Sequence, residues 1–185
     1  PAAAVVACRD EAVAQRLQAA CPAAGRTARR RIWLLVTAGV LAGVDLGAKA
    51  WAQKALVDAP IEAWPVNLRL AFNPGMAFSF AADAPAGVVI TVAGLITTAL
   101  AVWAWRIAPT YRLAWRVAIA AILGGAVANV IDRADDSVVT DYLHTGWWPT
   151  FNLADVFIVL GGISIVVLSF LGSEHEPTKQ PPSDD

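Results

Sequence analysis

The chain has 185 residues, 57% of them hydrophobic and 16% charged, against roughly 45–50% and 25% in soluble domains. This is one domain's worth of chain, and its balance excludes an ordinary soluble globule in favour of a polytopic membrane protein. The net charge of −1 says little about partners, and no basic run marks a nucleic-acid surface.

Residues 1–31 read as a cytoplasmic tail. Val5, Val6, Val13 and Leu17 interleave with Arg9, Asp10, Glu11 and Arg16, the pattern of a weak amphipathic helix that Pro22 and Gly25 are expected to break. Cys8 and Cys21 have no histidine near them and read as incidental thiols rather than a disulfide or metal pair. Arg26, Arg29, Arg30 and Arg31 then precede an apolar segment from Ile32 to about Ala52. A secretory signal peptide ending at Ala50-Trp51-Ala52 is the competing reading. Asp45 and Lys49 argue against it, because they would interrupt its apolar core. In a retained membrane helix they stand i, i+4 and can pair on one face.

Residues 53–85 form a mixed stretch outside the membrane. Glu62 to Arg69 alternates loosely around Pro65, which suits an edge strand, and Asn73-Pro74-Gly75 is a turn signal. Three further apolar segments follow, Ala86 to Trp105, Leu113 to Asp132 and Asn152 to Leu171. Each has the roughly 20 residues that span a ~30 Å hydrocarbon core. Gly124, Gly125, Ala126 and Ala128 in the third allow a neighbouring helix to approach closely, and Arg116 can snorkel out of its start. Residues 172–185 are polar, carry Pro181 and Pro182, and read as a disordered cytoplasmic tail.

Basic residues set the orientation. Arg26, Arg29, Arg30, Arg31, Arg106, Arg112, Arg116 and Lys179 fall on one side, and Lys54, Arg69 and Arg133 on the other. Trp33, Trp103, Trp105 and Trp115 mark the first interface, and Trp51, Trp147 and Trp148 the second. The expected architecture is an all-α polytopic membrane protein: four helices, N-in and C-in, with a small β-rich cradle on the outer face.

This topology sends the polar residues to one end. Asp45 and Lys49 lie in the outer third of the first helix, Asn73 in the outer loop, and Asn129, Asp132 and Arg133 at the outer end of the third helix. Asp141 falls in the outer loop, and Asn152 and Asp155 begin the fourth helix. Each has a bland alternative. Asn152 and Asp155 fit a variant capping box, Asp141 an ordinary loop residue, Asp45–Lys49 a structural pair, and Asp135 and Asp136 a solvated surface. His144 and His175 are isolated, so neither a metal site nor a Ser–His triad is supported, and no cofactor is expected. What remains is a set of carboxylates at a low-dielectric surface, where two sharing a site retain one proton between them. Such a pair can activate water and protonate a leaving amine, the chemistry of an aspartyl peptidase. Spacing leaves open which aspartates pair.

The motifs Asp45-x-x-x-Lys49, Asn73-Pro74-Gly75-Met76-Ala77-Phe78, Gly124 to Arg133, Val139-Thr140-Asp141-Tyr142 and Phe151-Asn152-Leu153-Ala154-Asp155 together resemble the lipoprotein signal peptidase (signal peptidase II) family. The resemblance covers about residues 32–171, and Gly146-Trp147-Trp148-Pro149 is similar to its actinobacterial members. It implies an intramembrane aspartyl endopeptidase of the bacterial plasma membrane, active near the outer face. Such enzymes remove the signal peptide of diacylglyceryl-modified prolipoproteins before the lipidated cysteine. By motif, Asp141 and Asp155 would be catalytic. Asp132, Arg133, Asn129 and Asn152 would shape the site, and Asp45, Lys49, Asn73, Gly75 and Ala154 would support it or contact substrate and lipid. Phe72, Met76, Ala128 and Thr140 depart from the usual family residues, while the carboxylates and asparagines are intact. The alternative function is a small proton-coupled transporter using Asp45. It would place its charge near the midplane, whereas this polar set lies to one side.

Overall fold

A computed structural model of the chain describes residues 2–57, 59–74 and 85–172, with side chains from Gly25 onward. In order, the elements are α1 (Ala2–Ala55), β1 (Asn67–Asn73), α2 (Ala86–Ile107), α3 (Leu113–Asp136), β2 (Val139–His144) and α4 (Leu153–Gly172). Four helical stretches are long and apolar enough to cross a membrane: Gly25–Ala55, Ala86–Ile107, Leu113–Asp136 and Leu153–Leu171. Their outer faces expose large apolar side chains such as Leu95 and Phe170, as lipid contact requires. Gly75 and Met76, and with them most of that turn motif, lie outside the described residues, as does the tail 173–185.

The centre of the bundle is α3, which packs against α1, α2 and α4. Small residues make this possible, on two sides. A Cβ on Gly124 would stand 2.6 Å from the Ala38 carbonyl oxygen of α1, and one on Gly125 would stand 2.4 Å from the Ala154 oxygen of α4. Gly161 answers from α4, where a Cβ would lie 2.7 Å from the Ala118 oxygen. Without hydrophobic drive between helices in lipid, such backbone approach supplies the dispersion contact that holds them. Gly125→Ala is therefore expected to lower stability by about 1–3 kcal/mol. Gly162→Ala, with open space around it, should change it by less than about 0.5 kcal/mol. Thermal unfolding in detergent distinguishes the two; equal melting temperatures would contradict this packing.

Several boundaries differ from those expected. The first helix continues through Pro22 and Gly25. Pro22 forfeits the bond its N–H would have made one turn back and crowds that carbonyl with its ring, a cost that the alanines around it, strong helix formers, help to offset. The third helix runs one turn beyond Asp132 and stops at Ser137, whose left-handed backbone (φ 63°) lets its N–H bond the Arg133 carbonyl. The expected edge strand at 62–69 starts at Asn67 instead, because Pro65 has no N–H to give a ladder. Asp141, expected in a loop, lies within β2, whose Val139 and Thr140 are β-branched strand formers.

The two strands pair antiparallel, with Ala71 opposite Asp141, Phe72 opposite Thr140 and Asn73 opposite Val139. An irregularity between Leu68 and Ala71 shifts the register. Beyond it, Asn73 lies beside Asp141, with its amide 3.5 Å from the carboxylate.

Candidate active site

The site is assembled at the end of the bundle where α3 ends, α4 begins and the small sheet lies across them. Its foundation is Lys49, 2% exposed on α1. The ammonium donates to Asn129 Oδ1 at 2.7 Å and forms ion pairs with Asp45 Oδ2 at 2.9 Å and Asp132 Oδ2 at 3.1 Å. Each acceptor ties down something further. Asp45 Oδ1 accepts the backbone N–H of Ala154 at 2.9 Å, joining the first membrane helix to the last. Asp132 accepts the backbone N–H of Thr140 at 2.7 Å, joining α3 to β2. Asn129 passes the connection on, donating through Nδ2 to Asp155 Oδ1 at 3.0 Å.

The start of α4 is a capping box. The Asp155 N–H donates to Asn152 Oδ1 at 3.0 Å, and the Asn152 N–H donates to Asp155 Oδ2 at 3.2 Å. These reciprocal bonds satisfy backbone donors that a helix N-terminus otherwise leaves open. The same Asn152 side chain, fully buried, donates through Nδ2 to Asp141 Oδ1 at 2.7 Å. One residue thus grips both carboxylates, Asp155 through its backbone and Asp141 through its amide. Asn73 reaches Asp141 Oδ2 from β1 at 3.5 Å, a long contact.

Asp141 and Asp155 open into one cavity of about 480 Å³, together with Asn129, Arg133, Asn73 and the aromatic rings of Phe72, Trp148 and Phe151. Asp132 is absent from its wall and faces a separate groove between α1 and α3 with Lys49 and Gln53. Burial pushes the Asp141 carboxyl up to about 7, and the charge of Asp155 adds to the rise. The hydrogen bonds from Asn152 and Asn73 and the charge of Lys49 oppose it. Such a carboxyl holds its proton up to about neutrality, where it is half ionised, and can serve as an acid below that.

Asp45, Lys49, Asn73, Asn129, Asp132, Arg133, Asp141, Asn152, Ala154 and Asp155, drawn from separate stretches of chain, all converge here. Asp45, Lys49 and Asp132 form the support beneath the cavity, and Ala154 contributes its backbone N–H. Asp135 and Asp136 are exposed. Two further residues take part: Gln53, which no motif contains, and Tyr142, which the motifs include without a role. Gln53 donates to Thr140 Oγ1 at 2.8 Å, and the buried Tyr142 hydroxyl accepts the Leu153 N–H at 3.4 Å. Gln53 was findable, since Asp45, Lys49 and Gln53 recur every four residues on one face of α1. It also explains Thr140, whose hydroxyl sits between Gln53 and Asp132 Oδ1. Among the described residues no group of three or more His, Cys, Asp or Glu side chains is placed to hold a metal.

Comparison with known proteins bears on this arrangement. A family model described as Signal peptidase (SPase) II matches residues 37–171. A protein named Lipoprotein signal peptidase from Rhodococcus jostii (strain RHA1) is 35% identical over 165 residues, covering 83% of this chain and 80% of the relative. Another of that name from Xylella fastidiosa (strain 9a5c) is 38% identical over 162 residues, covering 79% and 92%. Two solved bacterial membrane enzymes share the fold. One has a TM-score of 0.66 at 22% identity over 82% of this chain and 94% of its own. The other has a TM-score of 0.62 at 23% identity over 74% and 91%.

Proposed function

The chain belongs to the signal peptidase (SPase) II family, and we propose that it is an aspartyl endopeptidase working through Asp141 and Asp155. The observation that carries this reading is Asn152, which holds both carboxylates at the wall of a single cavity. The pair shares one proton, held on Asp141. Asp155, which takes two N–H donors at the positive end of α4, carries the charge. Asp155 then draws a proton from the attacking water, while Asp141 gives its own to the scissile carbonyl oxygen. On collapse of the tetrahedral intermediate, Asp155 passes its proton to the departing amine and Asp141 recovers its own. Asn129 and Asn152 orient the carboxylates, Asp132 and Arg133 frame them, and Asn73 and Gly75 meet the substrate.

The substrate is a prolipoprotein carrying a diacylglyceryl cysteine, cut on the N-terminal side of that residue. The aromatic and aliphatic lining of the cavity favours a lipidated chain over a bare one. The protein lies in a bacterial plasma membrane with both termini inside and the cavity near the outer face. Residues 32–171 form the enzyme, and residues 1–31 and 172–185 are cytoplasmic tails. The transporter alternative is not favoured, since the family is one of peptidases and Asp45 is closed between Lys49 and Ala154.

Purified protein given a diacylglyceryl-modified prolipoprotein peptide should release the signal peptide at the bond before the modified cysteine, as read by mass. Absence of cleavage on several lipidated peptides would overturn the peptidase reading. The pH profile offers a second check. Because the competent pair needs its one proton, and Asp141 loses it near pH 7, kcat/KM should fall about tenfold per pH unit above that point. A flat profile from about pH 6 to about pH 9 would exclude Asp141 as the acid.

A further inference from the structure

The end of the bundle opposite the carboxylates is cationic. Residues 25–44 and 86–131 contain no Asp or Glu, yet they carry Arg26, Arg29, Arg30, Arg31, Arg106, Arg112 and Arg116. Among the described residues, two of the guanidinium groups find backbone acceptors at the C-terminal end of α2 and in the loop that follows it. Arg30 donates to the Pro109 carbonyl. Arg31 donates through Nε to the Trp105 carbonyl at 3.1 Å and lies 4.8 Å over the Trp105 ring.

Arg29 and Arg116 differ. Neither side chain has a hydrogen-bonding or ionic partner among the described residues, and Arg116 Nε is buried without an acceptor. Both line a cavity of about 510 Å³ between α1 and the start of α3, with Arg30 at its rim and Trp33, Leu34 and Val117 along its wall. At this point α3 begins with no side-chain cap and no acidic residue in its first turn, so the positive end of the helix adds to the field. A buried N–H without an acceptor is costly, and a phosphate group accepts from guanidinium in a forked geometry. A free anion would answer the arginines and leave the apolar wall bare. A phospholipid would answer both, with its phosphate among the arginines and its glycerol and upper acyl chain against the exposed Trp33 and Val117.

We propose that this cavity binds the headgroup phosphate of an anionic glycerophospholipid at the membrane surface opposite the carboxylate site. The assignment does not depend on the peptidase reading. Native mass spectrometry of the detergent-purified full chain, titrated separately with phosphatidylglycerol and phosphatidylcholine, tests it. The double variant Arg29→Gln/Arg116→Gln should retain phosphatidylglycerol about tenfold less well than the parent, with phosphatidylcholine retention unchanged. Arg26→Gln/Arg106→Gln removes the same charge from exposed positions away from the cavity and should alter retention by less than about twofold. Equal losses in the two double variants would mean diffuse surface charge and overturn the site. Displacement of the lipid by millimolar inorganic phosphate would assign the cavity to a soluble anion and overturn the lipid. Should the glutamine double variant fail to fold, Arg116→Gln alone carries the test; full retention of phosphatidylglycerol in that variant would also overturn the site.

Discussion

Replacing either Asp141 or Asp155 by Asn should lower cleavage of a lipidated prolipoprotein peptide by about a thousandfold or more, with only a modest fall in melting temperature. Asn is nearly isosteric with Asp but accepts through one oxygen only, so each variant keeps one of the two hydrogen bonds made to that carboxylate and turns an NH2 toward the other donor. What disappears is the ability to exchange a proton with water and carbonyl. Asp132→Asn is the informative control. Asp132 receives Lys49 and the Thr140 backbone and faces away from the cavity, so its replacement should cost stability first and chemistry second. Full activity in Asp141→Asn alongside none in Asp132→Asn would transfer the catalytic role to Asp132.

The second large effect concerns Lys49. Lys49→Met keeps much of the side chain's volume and deletes the charge between Asp45, Asp132 and Asn129. Two buried carboxylates then lose their cation, and removing one member of such a group costs about 3–5 kcal/mol. The loss should appear as a much lower melting temperature in detergent, accompanied by a fall in cleavage as Asn129 loses its anchor. Combining Lys49→Met with Asp45→Asn removes one of the stranded charges and should recover part of the stability, although Asp132 remains. A single Lys49→Met variant as stable as the parent would show that the three-way contact does not hold the helices.

How far the residues themselves disclose this structure depends on the range of the forces involved. The four membrane helices are legible because apolar length is a property of a single segment. Their ends are less so: the apolar run stops at Asp132, but the backbone keeps its helical bonds to Asp136, since hydropathy reports where lipid ends and not where hydrogen bonding does. The convergence of Asp45, Lys49, Asn129, Asp132, Asn152 and Asp155 follows from shared depth together with the cost of turning a charged or polar group to lipid, which points each toward the bundle interior. The strand containing Asp141 does not follow. Its register depends on an irregularity in β1 about 70 residues earlier, and no local pattern announces it. Asn152 and Asp155 carry a different lesson. Reading them as a capping box or as part of a site poses a false choice, for the bonds that cap α4 are the bonds that hold Asp155 beside Asn152.

The hydrogen bond between Asp45 and the Ala154 N–H has a consequence in time. Asp45 leaves the ribosome early and Ala154 late, more than 100 residues of synthesis apart. Until α4 arrives, Asp45 has Lys49 but lacks its second partner, and neither Asp155 nor Asn152 exists to complete the carboxylate pair. The last helix therefore closes the arrangement: in a product truncated before α4, Lys49 still has Asn129 and Asp132 of α3, but Asp45 lacks the Ala154 N–H.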